Sequence, residues 1–233
     1  MSGLQTIIDA SNGLLIDRRK VVGIQYTRNE IPRVSQTPTK NPWKFTLDVP
    51  NSVRYSEGRA LMEALDTLDR ITPQVVTFSN NSNFSWMFRY QGAMTLAQRN
   101  GITVQSFTGN TLTLTGLPAV GASTVLFQPN DLIQIGSLGE YPYPFTSTTQ
   151  VLRGTGGTVV VTTSRPNILT PVGTLTGEGI IVGNDCQFKM FCPNMPTYKL
   201  IVGGYVGNGT TTTNNALLEF SDSFQLYEFV GTA

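Results

Sequence analysis

The chain has 233 residues, enough to bury a sizeable core in one large β domain or two smaller ones. Charged residues make up 13% of it, about half the roughly 25% of an average soluble protein, and the formal net charge is +1. This balance excludes a global electrostatic drive toward nucleic acid or an anionic membrane, and leaves little repulsion to keep neighbouring copies apart.

At the amino terminus, MSGLQTIIDASNG lacks the basic segment and apolar run of a secretory leader, so none is expected. The N-x-S/T sequons at Asn80, Asn83 and Asn208 are accordingly read as polar loops. Ten of the 16 Lys and Arg residues fall between Arg18 and Arg70, starting with Arg18, Arg19 and Lys20 and continuing through Arg28, Arg33, Lys40 and Lys44. Two explanations stand side by side: a solvated strand edge on which cations discourage unwanted pairing, or a contact with an acidic neighbour.

Trp43, Phe45, Leu47 and Val49 alternate with Lys44, Thr46 and Asp48, the period of two of a strand with one buried face, and Pro50 and Asn51 stop it. From Ser56, read as an N-cap, the pattern changes. Ala60, Leu61, Ala64, Leu65 and Leu68 form one apolar stripe of a helix over about 56–70. Glu57, Arg59, Glu63, Asp66 and Arg70 occupy the other side, where Arg59 with Glu63 and Asp66 with Arg70 are spaced to meet.

Beyond residue 72 the pattern is of short strands divided by Gly, Pro and Asn: QVVTF, SWMFRY, ITVQSF, NTLTLTGL, TVLF, DLIQI, TTQVLR, GTVVVTT, CQFKMF, YKLIVGGYV, NALLEF and FQLYEF. The fold class expected is mainly β: a β-barrel or sandwich packed by the one α-helix, with an inserted small β domain. Residues 99–175, poor in charge and dense in Thr, are the insertion. Residues 1–98 and 176–233 are the two parts of the first domain, the closing strands returning to its sheet.

The chain contains no histidine, which removes Ser-His-Asp and Cys-His arrangements and every His-containing metal site. Asp66 and Asp69 could imitate a catalytic carboxylate pair, but a helix surface of alternating charge explains them. Asp131, in QPNDLIQI, is read as a turn former. RGTGGTVVV and GGYVGNG lack the Lys and Ser/Thr of a phosphate-binding loop, and the first leads into a strand, so no helix N-terminus awaits an anion. Cys186 and Cys192 lie on what reads as one strand, their Cα atoms roughly 20 Å apart, too far for a disulfide. Both are read as small buried hydrophobes. No enzyme activity, cofactor, metal site, membrane association or sequence-specific nucleic-acid binding is expected.

RRKVVGIQYTRNE, NPWKFTLDVP and YSEGRALMEALDTLDR together resemble the amino-terminal pattern of tail structural proteins of tailed bacteriophages. LFQPNDLIQIG is similar to a strand of their central β domain, and FSDSFQLYEFV to their closing strand. The resemblance implies a virion protein made in the host cytoplasm, whose copies form a homo-oligomeric ring in the tail tube, its distal end or the baseplate. The partners implied are further copies, a hexamer being favoured over a trimer, and other tail or baseplate proteins. The residues expected at the protein interface are Arg18, Arg19, Lys20, Tyr26, Arg28 and Trp43, with Arg59, Glu63, Asp66 and Arg70 on the helix. The alternative is a carbohydrate- or receptor-binding β module using the loops GEYPYPF and SNNSNFSW, whose aromatics could stack on sugars.

Overall fold

The computed structural model describes residues 3–17, 22–26, 32–36, 42–49, 53–68, 72–136, 141–169, 175–193, 196–201, 206–208, 211–213 and 217–230. For 22–26, 32–36, 53–57, 65, 206–208 and 211–213 the backbone alone is described. Helix α1 (Gly3–Ala10) leads into β1 (Gly13–Asp17), the hairpin strands β2 (Val22–Tyr26) and β3 (Pro32–Gln36), then β4 (Lys44–Asp48) and β5 (Val53–Arg54). Next come α2 (Tyr55–Thr67), β6 (Gln74–Thr77), a 3-10 turn (Ser85–Phe88) and α3 (Leu96–Asn100). The strands that follow are β7 (Thr103–Thr108), β8 (Thr111–Thr115), β9 (Val125–Phe127), β10 (Leu132–Ile135), β11 (Phe145–Thr146), β12 (Val151–Leu152) and β13 (Val159–Thr162). The chain finishes through β14 (Ile180–Val182), β15 (Gln187–Phe191), β16 (Tyr198–Ile201), β17 (Val206–Asn208), β18 (Thr211–Thr213), β19 (Leu217–Phe220) and β20 (Phe224–Glu228).

Two compact units result. One combines Met1–Ile16, Lys44–Met87 and Phe188–Phe229; the other combines Asp17–Trp43, Phe88–Gln187 and Val230–Ala233. The first unit is built on a five-stranded sheet in the order β1-β4-β20-β15-β6. Phe45 lies opposite Leu226, and Leu47 opposite Phe224, on antiparallel β4 and β20. These four side chains are fully buried, as period-two alternation requires of one sheet face. Rings of Phe45, Phe78 and Phe188 meet edge to face, with centroids 4.9–5.6 Å apart, and Phe84 extends the cluster at 5.7 Å from Phe78.

Helix α1 forms because Leu4, Ile7 and Ile8 fall on one side, and all three are buried. Its end is held by side chains: Ser11 Oγ donates to Ile7 O at 2.7 Å, and Asn81 Nδ2 donates to Ile8 O at 2.6 Å and Ser11 O at 2.9 Å. Gly3 lies against α2; a Cβ there would sit 3.0 Å from Ala64 O. The same unit contains an antiparallel sheet in the order β16-β19-β5, in which Tyr198 faces Phe220 and Ile201 faces Leu217.

In the second unit β8 lies between β7 and β13, β10 between β11 and β14, and β9 pairs with β12. Ile102, Val104, Leu112, Leu114, Leu126, Phe127, Ile133, Ile135, Phe145 and Val161 form its core. Outer strand β7 meets the segment before β14 at the isolated bridge Thr103–Gly179, beside which Val104 N donates to Glu178 O and Gly177 N to Val104 O; the segments after β11 and β13 meet at Ser147–Thr163.

The expected β-barrel or sandwich packed by one helix, with an inserted small domain, is therefore corrected. The chain is mainly β with small helices, and its sheets are open. Alternation tells which face of a strand is buried, but carries no information on whether a first strand pairs with a last. Three α-helices are present among the described residues. SWMFRY, expected as a strand, is a 3-10 turn whose Trp86 and Met87 are exposed, because Asn81 and Asn83 direct the preceding backbone to α1. Helix α2 starts at Tyr55, placing Ser56 in its first turn, and ends at Thr67. Leu61 is buried as expected, but Ala60 is exposed and Gly58 is buried in its place. Cys186 and Cys192 are buried and are not joined in a disulfide.

Phe188 touches both other rings of the central cluster, so Phe188→Ala should cost about 3–5 kcal/mol of stability, read from urea unfolding. A loss under about 1 kcal/mol would show that the cluster does not hold this sheet.

Candidate functional site

The residues expected at an interface are placed unequally. Arg18, Arg19, Lys20, Arg28 and Arg70 lie outside the described residues, as does Asp69, and Tyr26 is described only as backbone of β2. Arg59 Nε donates to Glu63 Oε1 at 3.1 Å on the solvent side of α2, with both side chains about two-thirds exposed. A pair so open to water adds little to stability. Asp66 is exposed on the same helix. Trp43 is buried, and its indole Nε1 donates to Pro144 O at 3.1 Å.

That carbonyl is a junction. Arg165 Nη2 also donates to Pro144 O, and the Arg165 guanidinium lies 3.7 Å from the Tyr143 ring centroid and 5.9 Å from that of Trp43. Stacking on two aromatic faces accommodates a cation that is only 2% exposed. Beside it is a cleft of about 370 Å³ lined by Trp43, Asn130, Thr146, Ser147, Thr148, Ser164 and Arg165. Its hydroxyls are largely committed to the backbone: Ser147 Oγ donates to Thr149 O, Thr148 Oγ1 donates to Thr162 O, and Ser164 Oγ accepts from Thr146 N. No carboxylate or thiol is among these lining residues.

Asp131 carries a second polar cluster. Asn130, at φ 72°, turns the chain so that the buried Asp131 carboxylate accepts from Gln128 N and, across forty residues, from Gln91 N, both at 2.7 Å. Nearby, Tyr90 donates its hydroxyl to Leu126 O and accepts from Met94 N, while the Arg99 guanidinium lies 4.7 Å from the Tyr90 ring centroid. A Cβ on Gly92 would fall 2.1 Å from Tyr90 Oη, so this crossing requires glycine. Burial pushes the Asp131 carboxyl above its ordinary value, against the pull of its two backbone donors and Arg99. The arrangement pins a loop and leaves Asp131 no exposed face from which to act on a substrate.

A further hollow, of about 510 Å³, has Asp48, Glu219 and Asp222 on its wall. Among the described residues no group of three or more His, Cys, Asp and Glu side chains could hold a metal ion.

The least satisfied surfaces are strand edges. Outer strand β16 exposes Leu200 (46%) and Ile201 (39%) on opposite faces, and outer strand β1 exposes Leu15 (64%). Sequence reasoning missed these positions. YKLI is apolar on both parities, the signature of a strand covered on both sides, and nothing described in the chain covers it. No known protein-family model matches the sequence, and no curated protein matches it.

Replacing Asp131 by Ala removes the side-chain acceptor of two part-buried backbone N–H groups and should cost about 1–3 kcal/mol at neutral pH, measured by urea unfolding. The folded carboxyl holds its proton to higher pH than the unfolded one. Its stabilising effect is therefore complete below the unfolded pKa and is lost as pH rises through the folded value. The gap between wild type and Asp131→Ala should widen as pH falls through that value; a gap that narrows would contradict the assignment.

Proposed function

We propose that this chain is a structural component of a bacteriophage tail, forming a ring in or around the tail tube or baseplate through protein–protein contacts. The observation that carries the reading is the set of open sheets whose outer strands keep large apolar side chains in solvent: Leu15 on β1, and Leu200 and Ile201 on β16. Long apolar edges are an assembly hazard in a free monomer and an asset in a protein whose edges are covered by its neighbours. The low charge content acts in the same direction, since 13% charged residues oppose close approach only weakly.

The tail assignment itself rests on the amino-terminal stretches that resemble tail structural proteins, together with LFQPNDLIQIG and FSDSFQLYEFV. Copies of the chain, favoured as a hexamer, and other tail or baseplate proteins are the proposed partners, and the virion is the proposed location.

The carbohydrate-binding alternative keeps the exposed Trp86 of SNNSNFSW as a stacking surface, but receives less support because other loop side chains it needs are occupied. Asn81 and Asn83 donate to the residues ending α1, Phe84 is buried in the phenylalanine cluster, and Tyr143 is buried beneath Arg165.

Sedimentation of the purified chain at micromolar concentration, with electron microscopy of the same sample, tests the reading. Closed rings, or complexes formed on adding tail proteins, are expected. A stable monomer that binds no tail protein would overturn it.

A further inference from the structure

Asparagine followed by glycine is the pair most prone to lose its side-chain amide, because a residue without a Cβ lets its main-chain nitrogen swing onto the preceding carboxamide. The sequence contains three such pairs: Asn12-Gly13, Asn100-Gly101 and Asn208-Gly209. Gly209 lies outside the described residues, and the other two pairs are held in opposite ways.

Asn12 and Asn100 are both exposed, so access to water does not separate them. The attacking nitrogen does. Gly101 caps α3, and its N–H donates to Gln98 O and Arg99 O, which holds it against the helix. Gly13 instead opens β1, the outer strand of the five-stranded sheet among the described residues. Asn12 N donates to Asp48 O on β4 at 2.9 Å. Successive N–H groups along a strand point to opposite sides, so that of Gly13 is directed away from β4, toward the rim of the sheet.

We propose that Asn12 is a site of spontaneous deamidation in the folded chain. The Gly13 nitrogen gives up its proton to hydroxide and attacks Asn12 Cγ. The new N–Cγ bond closes a succinimide ring as the Cγ–Nδ2 bond breaks, and the departing amide takes a proton from water, leaving as ammonia and restoring the hydroxide. Water then opens the ring at either carbonyl, giving aspartate or, where the main chain now runs through Cβ, isoaspartate. The net change is one water consumed and one ammonia released.

The product falls in a place that is already acidic. Asn12 lines the hollow of about 510 Å³ that holds Asp48, Glu219 and Asp222, and a Cβ on Gly13 would fall 2.9 Å from Asp48 Oδ2. Either product sets a further carboxylate beside Asp48, so like charges repel where β1 is tied to β4. Isoaspartate also lengthens the main chain just ahead of β1. The reaction marks the age of this strand, and it does not depend on whether copies assemble.

The test uses the purified full chain, without substitution, held at mildly alkaline pH and sampled over days. Mass spectrometry of the peptides carrying Asn12 and Asn100, with fragmentation to place the gain on the asparagine, reports each conversion of amide to acid. In the folded chain Asn12 should convert about tenfold faster than Asn100, or more, and in urea the two rates should converge, since unfolding frees the Gly101 nitrogen from its helix. Asn12 reacting no faster than Asn100 in the folded chain, or an excess that persists unchanged in urea, would overturn the proposal.

Discussion

Every backbone N–H and C=O on the rim of a sheet needs a partner, and the means by which this chain meets that demand governs its organisation. In the first unit Gln5 closes the β6 rim with its own amide, and α2 follows β5 so directly that no length of edge is left there. In the second unit the isolated bridges Thr103–Gly179 and Ser147–Thr163, with the backbone hydrogen bonds beside them, bring rims together. Strands β1 and β16 are outer strands of their sheets among the described residues, and they carry the exposed Leu15, Leu200 and Ile201.

The packed interior makes this division physically sustainable. A sheet whose buried face carries Phe45, Leu47, Phe188, Phe224 and Leu226 is anchored by burial and by edge-to-face ring contacts, so its rims need not contribute to holding the unit together. Polar side chains inside the molecule serve the same end. Asn81 fastens the end of α1, Asp131 joins two segments forty residues apart, and Arg165 and Trp43 share the carbonyl of Pro144. Their hydrogen-bonding capacity is directed into the fold, which leaves the outer strands as the surfaces best suited to contact with other molecules.

Much of the local structure was legible in the residues. The alternation from Trp43 to Val49 predicts the buried face of β4, and the spacing of Arg59 and Glu63 predicts their ion pair. The turn at Asp131 could be read from Pro-Asn-Asp, but its bond to Gln91 could not, since no local pattern links residues so far apart. Helix α1 is eight residues long, too short for its Leu4-Ile7-Ile8 periodicity to stand out. SWMFRY has strand-forming composition, which lost to the turn held by Asn81 and Asn83. The open sheets were hidden for a deeper reason: a strand's sequence records its two faces, whereas its neighbours are decided by the rest of the chain. Of the residues expected at an interface, those on α2 are exposed and Trp43 is buried, while the edge residues gave their signal only as a strand apolar on both parities.

Hydrogen–deuterium exchange on the unmodified chain across a concentration series bears most directly on the claim that β1 and β16 are the edges left for a neighbour. Peptides covering 13–17 and 198–201 should gain protection as concentration rises, while the Gln5-sealed segment 74–77 should exchange at one rate throughout. Exchange at 13–17 and 198–201 that is independent of concentration, or a gain confined to 74–77, would contradict the account.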